Sequence, residues 1–182
     1  MLYFLRHGET EWNNLHIVQG RVDIPLNEKG VEQARAAAEK LKDVKFDKIY
    51  CSPLSRVLET CEIATGVNRA AYFLDERLLE RDFGELEGKE FISWERKDVD
   101  LWNLNDFALT KIKGLESLKS MKSRVFEFLD DIMPLCKDKN ILITSHFGVA
   151  VLVEMYFKGE PKTNDLGEYR VHNAEVKCYE VK

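Results

Sequence analysis

Apolar positions along this 182-residue chain fall into short, well-separated runs. Leu2-Tyr3-Phe4-Leu5 stops abruptly at Arg6-His7-Gly8, and residues 140–145 (Asn-Ile-Leu-Ile-Thr-Ser) stop at His146. Runs of this length predict buried strands, and the glycine after the first permits a sharp exit. Residues 48–51 and 71–74 predict two more strands. Between the first strand and residues 48–51, residues 31–41 carry four alanines with Val31 and Leu41, a helix pattern with Asn27 as the expected cap. A second helix is expected to start at Ser52-Pro53, with proline near its first turn. Residues 117–136 place Met121, Val125, Phe128, Leu129 and Ile132 at helical spacing, and 148–157 are apolar enough for another core helix. Residues 169–181 alternate in the manner of two short closing strands.

The order β-α-β-α-β favours a three-layer α/β/α fold with a mainly parallel central sheet. Residues 9–27 are polar and punctuated by Gly20, Pro25 and Asn27, which predicts a long ordered loop, uncommon without a functional reason. Residues 75–88, with Gly84 and Gly88, predict a second loop. Trp94, Trp102 and Phe107 are spread through polar residues, so residues 89–114 are expected to be a helical cap over the sheet edge. No internal repeat or obvious linker divides the chain, and residues 1–182 read as one domain.

Composition narrows the function classes. The net charge of −5 comes from interleaved acids and bases, which gives no case for a nucleic-acid or membrane partner. Any attraction for an anion must come from a local cluster acting against the global sign. Cys51, Cys61, Cys136 and Cys178 lack metal-ligand spacing. The apolar stretch at the N-terminus is too short for a secretion signal, and no run reaches the 18 apolar residues of a spanning helix. A cytoplasmic setting is the expectation. Oligomeric state is not legible.

Two predicted strands end in histidine, at His7 and His146, and parallel neighbours would bring those ends together. The carboxyl edge of such sheets is where ligand crevices form. Arg6 adjoins His7, and Arg56 lies one turn into the helix after the second strand. Guanidinium forks suit phosphoryl oxygens, and a helix start offers free N–H groups to an anion.

Several ordered blocks now resemble one family. Arg6-His7-Gly8-Glu9-Thr10 with Asn13 looks like the opening motif of the histidine phosphatase superfamily, phosphoglycerate-mutase-like branch. The similarity continues through Gln19-Gly20, Asp23 to Asn27, Gly30 and Gln33-Ala34. It then runs through Ser52-Pro53-Leu54-Ser55-Arg56, the acidic loop from Leu79 to Gly88, and Ser145-His146. It covers nearly the whole chain and is weakest over 90–113.

That resemblance implies a phosphoglycerate mutase-like fold and a metal-independent phosphomonoesterase acting on a small phosphorylated metabolite, without cofactor. His7 would form a phosphohistidine, with Arg6, Arg56 and His146 stabilising charge and Glu80 as the acid. Glu87 is the competing carboxylate. Asn13, Gln19, Gly20 and Phe147 would meet phosphate or substrate. An alpha-ribazole phosphatase is one specific reading. A cofactor-dependent mutase is an alternative, weakened by Phe83 in place of tyrosine and by the lack of an arginine pair between Arg96 and Arg124. A non-catalytic phosphate-binding regulator is another. Where the family has glycine after its second histidine, this chain has Phe147 and then Gly148, which predicts a narrower pocket or a displaced His146. Arg81 reads equally well as a solvated loop charge, and His16 and His172 as structural or exposed.

Overall fold

A computed structural model describes residues 1–90, 111–161 and 169–181. Five strands, β1 (Leu2–Arg6), β2 (Lys48–Cys51), β3 (Phe73–Leu74), β4 (Ile141–Ser145) and β5 (Val176–Tyr179), form one sheet in the order β3-β2-β4-β1-β5. The first four run parallel; β5 is antiparallel to β1 at one edge. The helices are α1 (Glu11–Asn14), α2 (Glu28–Leu41), α3 (Ser55–Thr65), α4 (Leu118–Cys136) and α5 (Phe147–Lys158).

Strand alternation explains the layers. Side chains along a strand point to opposite faces, so Leu2, Phe4, Ile141 and Ile143 join a core with α4 and α5. Leu5, Leu142, Ile49 and Cys51 join another with α2 and α3. Central β4 is buried along its whole length, as its continuous apolar run requires. The expected three-layer α/β/α arrangement is thereby found.

Several local expectations need correction. The segment 9–27 is not all loop: Thr10 and Asn13 form a capping box that starts the single turn of α1. Helix α3 begins at Ser55 rather than Ser52-Pro53, because the carboxylate of Asp23 accepts from both the Ser55 N–H (2.8 Å) and its hydroxyl (2.7 Å). Strand β3 is only two residues, since Arg69–Ala71 turn as a 3-10 helix instead. One closing strand is present among the described residues rather than two. The residues before β5 form a turn through Asn173 and Ala174, the latter at φ +51°. Of the expected cap, residues 91–110 lie outside the described residues. Its flanks are anchored by bridges from Ile17 to Glu90 and Phe83 to Leu115.

Helix α2 packs end-on against the exit of β1. Asn27 caps it, with Oδ1 accepting from the Gly30 N–H at 2.8 Å. A Cβ on Gly30 would lie 2.1 Å from the carbonyl oxygen of Glu9, so backbone meets backbone there. Glycine to alanine inside a helix ordinarily stabilises by about 1 kcal/mol. Here the sign reverses: Gly30→Ala is expected to destabilise by about 1–3 kcal/mol, read from urea denaturation midpoints.

Candidate active site

Pairing of β1 with β4 places Arg6 opposite Ser145, and the His7 N–H donates to the Ser145 carbonyl at 2.9 Å. The rings of His7 and His146 consequently lie 5.3 Å apart, centre to centre. His7 leaves β1 with its carbonyl held by the Ala174 N–H (3.2 Å) and by Nδ2 of Asn173 (3.1 Å). Its Nδ1 lies 2.7 Å from the Gly8 carbonyl. A carbonyl can only accept, so Nδ1 carries the proton and the lone pair resides on Nε2. The Gly8 N–H is fixed in turn by Oγ1 of Thr60 at 2.9 Å. Burial first, then the Arg56 and Arg6 charges, push His7 well below the ordinary imidazole range. The ring is neutral at pH 7.

His146 is fully buried at the cap position of α5. Nη2 of Arg56 reaches its Nδ1 at 3.3 Å, and its Nε2 lies 2.7 Å from the Ser52 hydroxyl. An arginine can only donate, so Nδ1 accepts and Nε2–H points to Ser52. Burial and Arg56 again hold the ring neutral. Phe147 has not displaced it; the guanidinium of Arg6 lies over the Phe147 ring at 5.2 Å.

The two guanidinium groups are anchored by backbone. Arg6 donates to the Val171 carbonyl (2.8 Å). Arg56, the second residue of α3, donates to Val22 and Gly20 (both 2.8 Å). Gly20 adopts φ +52°, so its carbonyl serves Arg56 rather than a substrate. Nε of each arginine is buried and makes no hydrogen bond among the described residues. A buried donor left unpaired costs about 1–3 kcal/mol, which an arriving anion would relieve. Burial lowers both groups to about 10, with the Glu80 carboxylate the largest opposing influence on each. Both stay charged at neutral pH.

Glu80 is nearly buried, its Oε1 accepting from the Arg81 N–H (2.8 Å) and Oε2 from the Gly148 N–H (3.1 Å). The N–H that follows Phe147 therefore holds the carboxylate beside His146. Glu87 is committed elsewhere, accepting from the N–H groups of Arg21 (2.8 Å) and Phe83 (3.1 Å). Arg81 is not a solvated charge: it is 1 % exposed, and its Nε donates to the Glu116 carbonyl at 2.8 Å. Asn13 accepts at Oδ1 from the Thr10 N–H (3.2 Å) and from Nδ2 of Asn173 (3.4 Å). Gln19 turns inward and accepts from Thr10 Oγ1 at 3.0 Å. His16 and His172 are exposed.

Sequence reasoning gave no role to Ser52, Thr60, Asn173, Arg21, Glu116 or Arg124. Ser52 opens the Ser52-Pro53-Leu54-Ser55-Arg56 block, and Thr60 follows Arg56 by one helical turn, so both had a local signal. Asn173 had none.

A parallel-sheet edge presenting two neutral imidazoles and two charged guanidinium groups defines an anion-handling α/β enzyme. Residues 2–182 match the family model of the histidine phosphatase superfamily, branch 1, and the chain belongs to that family. It is 37 % identical over 149 residues to "Putative phosphoserine phosphatase 2" of Hydrogenobacter thermophilus, covering 81 % of this chain and 73 % of that one. A solved structure named as "a putative alpha-ribazole-5'-P phosphatase" from Escherichia coli superposes with a TM-score of 0.81 at 27 % identity, over 96 % of this chain and 87 % of that one. Phosphoglycerate mutase from Thermus thermophilus superposes with a TM-score of 0.71 at 29 % identity, over 96 % and 90 %. The fold is phosphoglycerate mutase-like, and the enzyme class is phosphatase-type hydrolase. Among the described residues, no helix is long and apolar enough to cross a membrane.

Two imidazoles held neutral by burial make stability depend on pH. Below the ordinary histidine value of 6.5 the unfolded chain takes up protons that the folded one refuses. Each ring should therefore remove up to about 1.4 kcal/mol per pH unit as pH falls from 6.5 toward 5. Urea midpoints in phosphate-free buffer should fall over that window, and His7→Gln or His146→Gln should each roughly halve the slope.

Proposed function

We propose that this chain hydrolyses small phosphate monoesters by way of a phosphohistidine on His7. One observation carries the reading: a neutral, oriented His7 ring sits among two guanidinium groups whose buried Nε–H donors are unspent among the described residues. Nε2 of His7 attacks phosphorus, the bond to the leaving oxygen breaks, and Glu80 gives that oxygen a proton. Glu80 then takes a proton from the water that cleaves the phosphorus–nitrogen bond, releasing inorganic phosphate and the free imidazole. Arg6 and Arg56 stabilise the charge on the equatorial oxygens. His146 acts with them by holding Nη2 of Arg56.

Asn13, the backbone near Gln19 and Gly20, and Phe147 face the substrate side in this reading. Nucleophile, charge stabilisation and proton transfer all come from side chains, so the reaction as proposed takes no metal and no cofactor. The named relatives, one for phosphoserine and one for alpha-ribazole phosphate, support a small phosphorylated metabolite as substrate. A cytoplasmic site of action fits four cysteines that are all free, three of them buried.

His7→Ala is expected to lower turnover of any phosphate monoester by about 10³-fold or more, in chelator as well as without it. Glu80→Gln should cost about 10²–10⁴-fold on alkyl phosphates, whose leaving oxygen needs a proton. Steady-state phosphate release over a panel containing phosphoserine, alpha-ribazole phosphate and 3-phosphoglycerate measures both. Full activity in His7→Ala would sink the covalent route. Interconversion of 2- and 3-phosphoglycerate faster than phosphate release would mark a mutase, and phosphate binding without turnover a regulator.

A further inference from the structure

The loop that carries Glu80 has no regular secondary structure at that residue, yet its backbone is closely held. Arg124 of α4, 44 residues away, holds it at three carbonyls, and Nε of Arg21 adds a longer bond to the Glu80 carbonyl at 3.3 Å. Its Nη1 donates to the carbonyls of Arg77 and Leu79 (both 2.7 Å), and its Nη2 donates to the carbonyl of Glu80 at 3.1 Å. The remaining donors form a forked pair with Glu116, Nε to Oε1 at 2.7 Å and Nη2 to Oε2 at 2.8 Å. All five guanidinium N–H groups are thus used. Glu116 also grips the chain just beyond Glu80: its Oε2 accepts from the Asp82 N–H (3.3 Å) and its carbonyl from Nε of Arg81 (2.8 Å).

We propose that Arg124, aimed by Glu116, is a positioning residue that sets where the Glu80 carboxyl stands relative to the leaving oxygen. This inference rests on the reading of Glu80 as the acid. Arg124 spends all its hydrogen bonds away from the two imidazoles and the Glu80 carboxylate, and its charge is the smallest of the influences on His146; its hydrogen bonds act on the peptide that carries Glu80. Only a planar fork can meet carbonyls and a carboxylate at once, and lysine offers donors from a single point. Burial works to raise the Glu116 carboxyl, but the Arg124 guanidinium outweighs it and holds the group below its ordinary range. Glu116 is therefore a carboxylate at neutral pH. A displacement of about 1 Å in a reacting group can cost about 10²-fold in rate.

The test compares kcat/KM for an alkyl ester, phosphoserine, with that for 2,4-dinitrophenyl phosphate, whose leaving group departs without a proton. Arg124→Gln should lose about 10²-fold on phosphoserine while keeping most of its activity on the dinitrophenyl ester. Glu116→Gln, which preserves volume, should show the same selective loss to a smaller degree and serves if Arg124→Gln does not fold. Added to Glu80→Gln, either change should cost phosphoserine turnover nothing further. Equal losses on both esters, or losses that multiply with Glu80→Gln, would overturn the role of Arg124. A Glu80→Gln enzyme that loses both esters equally would overturn the acid assignment itself and this inference with it.

Discussion

The in-register parallel pairing of β1 with β4 is the constraint on which the rest depends. Arg6 faces Ser145 across that ladder, so the residues that follow, His7 and His146, must emerge side by side. They are far apart in sequence, and no local preference could bring them together. A slip of one residue would turn each strand's side chains to the opposite face. The buried alternation on both faces of β4 opposes that slip, because Leu142 and its neighbours Ile141 and Ile143 belong to different cores. Core packing and the spacing of the two imidazoles are thus one requirement.

Electrostatics act locally and against the sign of the whole chain. A protein of net charge −5 concentrates Arg6 and Arg56 at one sheet edge, the first half-buried and the second fully buried. Burial is costly for a charge unless it is paired and hydrogen-bonded, and backbone carbonyls of Val171, Val22 and Gly20 supply that compensation. Carbonyls offset the cost without neutralising the charge, as a carboxylate partner would. Burial, seconded by the same positive field, keeps both imidazoles unprotonated, which leaves Nε2 of His7 with its lone pair.

Much of this is legible in the amino-acid sequence. Strand ends at His7 and His146 followed from short apolar runs. The ordered motif blocks pointed to Arg56 and Glu80, and the structure gathers all four at one edge. What escaped notice was of two kinds. Some elements are decided by particular contacts: the start of α3 depends on Asp23 from a distant loop, and β3 is short because the Asn68 side chain caps a 3-10 turn over Arg69–Ala71. The other kind is support through backbone atoms. Arg124 and Thr60 act on carbonyls and N–H groups, which every residue possesses, so no side-chain pattern announces the partner. Arg81 misled for the opposite reason, as a charge within an acidic loop that nonetheless lies buried.

The brevity of β3 has an effect outside the catalytic edge. An open sheet border is a template on which another chain can add a strand. Here that border is two residues long, with the ammonium of Lys48 lying over the exposed ring of Phe73. A newcomer would gain few backbone bonds and would have to strip water from a cation to obtain them. The protein thereby leaves two large apolar side chains in solvent while discouraging self-association along that margin.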